Sequence, residues 1–334
     1  MTARKVLVVG GTGFLGRRIA EQFLAHGDEV SVLSRGQGLE APRGAHHLAA
    51  DRHQPASLKA ALRDRAFDVL VDNVAFTGHD SAGLLAALGG RVGHCIMTSS
   101  AAVYATLQVR RPLREDQADL SLRLPADAPD AFHTRLGQTY GNGKREAESV
   151  LRDSGLAWTS LRAPIVVGAD DRTLRIWWFV QRLLDGGPIL IPDWGPGRLF
   201  QVVWTHDFAR ACVLAAGNPA AFGHAYNVAQ AEVFTAETWL LALADALGRK
   251  PTVGRLSERD LAPRGLPDYH MPIAGRPFGH VLLDGCAARA DLGFEPLPES
   301  TWLVDVARGC AASPPPEPSA GYARRADEIR AAVA

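Results

Sequence analysis

Tyr140 and Lys144 stand four residues apart, so on a helix they share one face. A phenol titrates near pH 10 (about 10) and is a poor acid or base at neutral pH, but a neighbouring ammonium favours its phenolate and lowers that value. Such a pair can pass a proton to or from a carbonyl oxygen while hydride moves elsewhere. With five tyrosines and four lysines in 334 residues, chance supplies only ~0.06 pairs at this spacing. The pair needs a hydroxyl to hold the reacting oxygen, and Met97-Thr-Ser-Ser100 offers one at the carboxyl end of an apolar run. Ser100 is the choice; Ser99 and Thr98 are the alternatives, since serine runs also serve turns.

A second group of residues points to a dinucleotide. Gly10, Gly13 and Gly16 are spaced three apart where a short apolar run passes into a helical pattern. Glycines there allow a tight turn and close approach of backbone N–H groups to a pyrophosphate, which meets the positive end of the following helix. Thr12, Phe14 and Leu15 complete this turn and first helical turn. About 20 residues on, an acidic residue would hold the ribose hydroxyls of NAD. The chain has Leu33-Ser34-Arg35 instead, a hydroxyl and a guanidinium suited to a 2′-phosphate. NADP(H) is therefore expected over NAD(H). Asp51-Arg52 after the third strand is the candidate adenine contact, and Asn73-Val-Ala75 ends the fourth strand beside the same groove.

The elements that position these residues are read from periodicity. Apolar runs at Lys5 to Val9, Glu29 to Leu33, Asp68 to Val71, Gly93 to Thr98 and Trp158 to Leu161 alternate with helical patterns at Phe14 to His26, Pro55 to Arg63, Ser81 to Leu88, from Gln138, and Leu174 to Leu184. This alternation predicts an α/β fold, a Rossmann-type doubly wound parallel sheet with helices on both faces. The expected organisation is a dinucleotide-binding domain over 1–185 with a lid or wall inserted at 106–137. A smaller, irregular substrate-binding region follows over 186–312 and shares elements with the first, and 313–334 is a Pro-rich spacer with a short terminal helix.

Composition narrows the partners. Lys plus Arg and Asp plus Glu both number 36, so no charge imbalance points to nucleic acid or an anionic membrane. A small carbonyl compound is the expected partner, with a homodimer left open. The four cysteines are scattered and form no Cys-x-x-Cys pair, and adjacent His46 and His47 in an alternating segment point to opposite faces, so neither a disulfide framework nor a metal site is expected. The N-terminus lacks a secretory pattern, and a cytoplasmic location is expected. Trp177, Trp178 and Trp194, with Tyr104, are the candidate aromatic walls of the substrate site.

Taken together, Gly10-x-x-Gly13-x-x-Gly16, Thr98-Ser-Ser100 followed by Val103-Tyr104, Tyr140-x-x-x-Lys144, Arg162-Ala-Pro164, Trp204-Thr-His-Asp207-Phe-Ala209 and Tyr226-Asn-Val228 resemble the extended branch of the short-chain dehydrogenase/reductase superfamily, which includes nucleotide-sugar epimerases and dehydratases. The resemblance spans residues 4 to 310. It implies that Tyr140 is the acid/base, that Lys144 also bonds the nicotinamide ribose, that Ser100 orients the reacting oxygen and that backbone from Pro164 to Val166 cradles the nicotinamide. Two departures stand out: Gly141 and Gly143 lie inside the catalytic helix, where each costs roughly 1 kcal/mol relative to alanine, and Ala101-Ala102 replaces the Asp-Glu pair of sugar dehydratases. The expected activity is NADPH-dependent reduction of a bulky, aromatic or polyketide-like ketone. Nucleotide-sugar epimerisation and a non-catalytic, NADP-binding or RNA-binding regulator are the alternatives.

Overall fold

The computed structural model describes residues 2–36, 38–104, 111–124, 132–193, 199–269, 271–273 and 282–333, with the backbone alone over 132–138. Its elements run β1 Lys5–Val9, α1 Phe14–His26, β2 Glu29–Ser34, β3 His46–Ala49, α2 Pro55–Leu62, β4 Phe67–Asp72, α3 Gly78–Leu88, β5 Val92–Ser100, α4 Phe132–Arg152, β6 Trp158–Ala163, β7 Ile165–Val167, α5 Arg175–Asp185, β8 Ile189–Asp193, β9 Val202–Trp204, α6 Thr205–Ala215, β10 His224–Asn227, α7 Ala236–Ala246, β11 Val253–Ser257, α8 Glu258–Leu261, α9 Cys286–Leu292, α10 Glu299–Ala312 and α11 Arg325–Val333.

Seven strands form one parallel sheet in the order β10-β6-β5-β4-β1-β2-β3. A parallel sheet must be covered on both faces, and its strands are correspondingly apolar throughout. Val6, Val8, Val32 and Ile96 pack on one side with Ile19 and Phe23 of α1 and Phe208 and Cys212 of α6. Their alternating neighbours Leu7, Val9, Leu33, Leu70 and Met97 pack on the other with Leu58, Leu84, Ala147 and Leu151. The strand order reverses between β1 and β4, and such a switch point opens a crevice at the carboxyl ends of the strands.

Several element boundaries are decided by groups that periodicity does not reveal. α3 begins at Gly78 rather than Ser81, because Thr77 accepts from the Asp80 N–H and Asp80 accepts from the Thr77 N–H, a reciprocal capping box. α4 begins at Phe132, a turn and a half before the expected Gln138. α11 begins at Arg325, after a short 3₁₀ turn over Tyr322–Arg324.

The chain divides into two units. The first comprises Met1–Val166, Val203–Ala229 and Leu283–Pro296, and the second Val167–Val202, Gln230–Leu282 and Leu297–Ala334. α5, expected with the dinucleotide-binding domain, falls in the second unit, while β10, expected beyond it, is the outermost strand of the main sheet beside β6. In the second unit, β8 and β11 form a small parallel sheet. Trp239 stacks on Trp302 with ring centroids 6.1 Å apart. The terminal helix α11 is drawn in so closely that a Cβ on Gly254 would lie 2.3 Å from the Ala332 carbonyl oxygen.

Candidate active site

The glycine turn does what its spacing requires. Gly10 adopts φ +77°, and a Cβ there would sit 2.6 Å from Val74 Cγ1. A Cβ on Gly16 would come within 2.2 Å of the Gly10 carbonyl oxygen. Gly13 caps α1 without any side-chain acceptor, and the first turn of that helix holds no acidic residue. Its leading N–H groups are therefore left to an outside anion. The turn opens onto a cleft of about 350 Å³ lined by Gly10, Thr12, Gly13, Ser34, Arg35, Asp51 and Arg52, with Leu39, His53, Val74 and Phe76.

Within this cleft Arg35 is exposed and has no hydrogen-bond or ion-pair partner among the described residues. The Ser34 hydroxyl bonds the His47 ring at 2.9 Å and accepts weakly from the Gly36 N–H at 3.4 Å. Arg52 is committed elsewhere: its guanidinium donates to both Asp72 oxygens at 2.8 and 3.0 Å and to the Asp80 carbonyl at 2.8 Å. These carboxylates hold it charged despite its burial. Arg52 thus fastens the loop after β3 to the end of β4 and the start of α3, while it still lines the cleft and its Nε has no hydrogen-bond partner among the described residues. Asn73 lies beside Gly16, and its side-chain oxygen is buried without a partner. Ala75 and Leu15 pack into the apolar core, which leaves only their backbone for a ligand. Phe14 packs against the α1 side of that core.

The proton-handling group is assembled by α4. Lys144 is 1% exposed, and its Nζ donates to the Thr98 carbonyl at 2.8 Å. Burial pushes its pKa down to about 8, against the pull of Asp72 and Glu148. Nζ lies 5.6 Å from the Tyr140 ring centroid and 5.0 Å from that of Phe76. An ammonium carries three donors, and among the described residues one is used. Tyr140 is half-buried, with its ring 6.3 Å from Phe76. Phe76 is 49% exposed and also lines the nucleotide cleft, so it joins the two groups of residues. No pattern in the sequence singles it out, although the capping residues Thr77 and Asp80 that follow are legible.

Gly141 and Gly143 do not loosen this helix. A Cβ on Gly143 would stand 2.1 Å from the Phe76 carbonyl oxygen, and one on Gly141 would stand 2.7 Å from that of Ala102. These glycines let α4 lie directly against the loop that carries Phe76 and the turn at Ala102 that follows β5. On its other side α4 holds the described part of the insertion: Asn142 exchanges hydrogen bonds with both backbone groups of Leu124, and the fully buried Arg145 donates to the Leu122 and Val103 carbonyls. Residues 122 and 124 of the insertion are thereby bonded to α4. Residues 106–110 and 125–131 of the expected insertion lie outside the described residues.

The three candidate hydroxyls separate by strand alternation. Ser99 points away and donates to Glu148, which is also bound in two places by Arg162, at 3.0 and 2.7 Å. Thr98 and Ser100 share the opposite face. The Thr98 hydroxyl is buried without a partner. The Ser100 hydroxyl is half-buried and accepts from the Ala102 N–H at 3.2 Å, which leaves its own proton available. Pro164 and Val166 are half-buried just past the end of β6.

Tyr104 is removed from the substrate list. It is 2% exposed, donates to Asn227 at 2.9 Å and accepts from Arg162 at 2.7 Å, and burial raises its pKa to about 12. Trp178 is likewise core of the second unit, 1% exposed with the Arg182 guanidinium 3.8 Å from its ring centroid. Trp177 is 8% exposed, and Trp194 lies outside the described residues. The buried set Glu148, Arg162, Tyr104 and Asn227, with the half-buried Glu115, ties α4, β6, β10 and the segment 111–124 together. Of this set, Glu148 was not singled out in the sequence, although it stands four residues after Lys144 on α4.

Residues 10–177, just over half of the chain, match the family described as NAD(P)H-binding. A chloroplast stem-loop binding protein of 41 kDa from Arabidopsis thaliana is 27% identical over 259 residues, which is 73% of this chain and 64% of that protein. The chain thus spans less than two thirds of that relative. A (4-alkanoyl-5-oxo-2,5-dihydrofuran-3-yl)methyl phosphate reductase from Streptomyces griseus is 28% identical over 258 residues, 73% of this chain and 74% of its own. The structure of a UDP-glucose 4-epimerase from Thermus thermophilus, solved with NAD, superposes with a TM-score of 0.68 at 24% identity over 91% of this chain and 99% of that one, a likeness of fold. The chain belongs to the NAD(P)H-binding family.

Proposed function

We propose that the protein is an NADPH-dependent ketoreductase acting on a small carbonyl compound, with Tyr140, Lys144 and Ser100 handling the proton. One observation carries this reading: a buried, anchored Lys144 with donors to spare stands beside Tyr140 on α4, next to an exposed Phe76 that also belongs to the nucleotide cleft. The free N-terminus of α1, the close-packed glycines and the unpartnered Arg35 fit a dinucleotide with a 2′-phosphate. A nicotinamide held there supplies a hydride to a carbonyl carbon.

The chain's own groups then deal with the oxygen. The Ser100 hydroxyl, its lone pair taken up by the Ala102 N–H, donates to the carbonyl oxygen and stabilises the charge that develops on it. The Tyr140 hydroxyl transfers its proton to the alkoxide. The Lys144 ammonium, fixed by Thr98, favours the resulting phenolate and retains donors for a ribose hydroxyl. The name of the Streptomyces relative, a reductase, supports this direction. The burial of Trp178 and Tyr104 removes much of the ground for an aromatic substrate, so the class proposed is a small ketone without that restriction.

Absorbance near 340 nm with NADPH and a panel of ketones tests the proposal. Consumption with at least one ketone is expected, and Tyr140→Phe should lower turnover by about 10²-fold or more while NADPH binding stays unchanged. Isomer formation from a nucleotide sugar without net NADPH consumption would instead assign epimerase chemistry. Tight NADP binding with no turnover would assign a regulator.

A further inference from the structure

Ser34 is placed to meet a 2′-phosphate, yet its hydroxyl is already spoken for. It bonds His47 Nε2 at 2.9 Å and accepts from the Gly36 N–H at 3.4 Å. His47 stands on β3 opposite Val32 of β2, two residues before Ser34 and on the same face. Its ring approaches Gly36 so closely that a Cβ there would meet Cε1 at 3.4 Å.

A serine hydroxyl has one proton, and an imidazole decides where it goes. When His47 is neutral and Nε2 bare, Ser34 must donate to it and offers a phosphate only lone pairs, which repel. When His47 is protonated, Nε2–H donates to Ser34, the serine proton is released toward the cleft, and a cation stands behind it. Histidine is the side chain that makes this change between about pH 5 and 8.

Resting on the NADP reading above, we propose that His47 is a positioning residue for the 2′-phosphate, acting through Ser34, and that it makes the preference for NADP(H) over NAD(H) strengthen as pH falls. The charged groups on the neighbouring elements do not duplicate this action. Arg17 of α1 is paired with Glu21 and donates to the Glu40 carbonyl. Glu40 and Arg43 lie on the loop between β2 and β3, and no carboxylate stands within 4.0 Å of the His47 ring among the described residues. His46 points to the other face of β3, His53 turns to Asp80, and Arg35 keeps its charge throughout.

The sign of the effect separates it from the ligand's own chemistry. A 2′-phosphate loses negative charge as pH falls, which by itself weakens its attraction to Arg35. Only a protein group that gains positive charge reverses the trend. The test titrates the protein with NADPH and with NADH from pH 8 to pH 5.5, following nicotinamide fluorescence. The ratio of the two dissociation constants is expected to shift by about ten-fold or more in favour of NADPH on acidification, the scale of one charge-assisted hydrogen bond. In His47→Gln it should stay level or move the other way. Calorimetry near pH 7 in two buffers of different ionisation enthalpy should show proton uptake with NADPH by the wild type and none by His47→Gln. Identical pH profiles for the two proteins would overturn the proposal. Arg35→Asp separates this failure from the broader one: loss of NADPH preference in Arg35→Asp with identical His47 profiles rejects His47 alone, whereas an unchanged preference rejects the 2′-phosphate site and the proposal with it.

Discussion

Of the cations that sit over aromatic rings among the described residues, Arg182 and Lys144 have surroundings that differ in a way that separates a site from a core. Arg182 of α5 lies 3.8 Å from the Trp178 ring centroid and donates to Glu328, Ser319 and the Trp178 carbonyl. Every one of these groups is nearly inaccessible. Lys144 of α4 lies 5.0 Å from the Phe76 centroid, uses one donor of three among the described residues, and stands beside a ring that is half open to solvent. The first arrangement is finished. The second has hydrogen-bonding capacity left over next to exposed apolar surface, which is the condition of a site waiting for a ligand.

The sharpest way to break this contrast is to disturb the finished cluster. Glu328→Ala leaves Arg182 charged, buried and without its carboxylate, and loss of about 3–5 kcal/mol of stability is expected. Chemical denaturation checks this, and at a temperature where the variant is folded its NADPH affinity should match the wild type. A Glu328→Ala protein of normal stability would show that the cluster is not a core. The site side responds through geometry instead: Gly143→Ala inserts a Cβ that must push α4 off the Phe76 carbonyl. A shift approaching 1 Å at the reacting groups is worth about 10²-fold in rate, so kcat should fall by that order while the protein stays folded.

The lowered pKa of Lys144 gives a smaller and reversible perturbation. Its ammonium form is present below about 8 and is lost above it, instead of persisting to the ordinary lysine range near 10.5. Reduction needs the cation, so kcat/KM should be level below that pH and fall up to ten-fold per pH unit above it. A profile level to pH 10 would mean that the ammonium is not required in the free enzyme.

The same contrast explains what the sequence could disclose. Gly10, Gly13 and Gly16, and the Tyr140 and Lys144 pair, are constraints on backbone approach and helical spacing, and a one-dimensional pattern carries both. Strand alternation predicted the parallel sheet and the places of β1, β2, β4, β5 and β6, but not the outermost strand β10. The tryptophans were misleading because a large apolar residue has the same signature on a pocket wall and in a core, and what distinguishes them at Trp178 is Arg182 and Glu328, some 150 residues apart in the chain. Arg52 lines the cleft as expected, but its ties to Asp72 and Asp80 were not legible because those partners lie on other elements. Gly141 and Gly143 appeared as a weakness because helix propensity is local, whereas the carbonyls they approach belong to other loops.

The finest test lies between two adjacent serines. Strand alternation sends Ser99 to Glu148 of α4, while Ser100, at the carboxyl end of β5, accepts from the Ala102 N–H and keeps its own proton. Ser100→Ala removes a donor to the developing oxyanion, and kcat should fall about 10-fold to 10²-fold with little change in the melting temperature. Ser99→Ala removes one hydrogen bond from a carboxylate that keeps both bonds from Arg162, so about 1–2 kcal/mol of stability should go while kcat stays within two-fold of wild type (about two-fold). The two outcomes use different instruments, kinetics for one and denaturation for the other. If Ser99→Ala were the slow enzyme, Ser99 and not Ser100 would be the hydroxyl that meets the reacting oxygen, and its bond to Glu148 would have to open for it to do so.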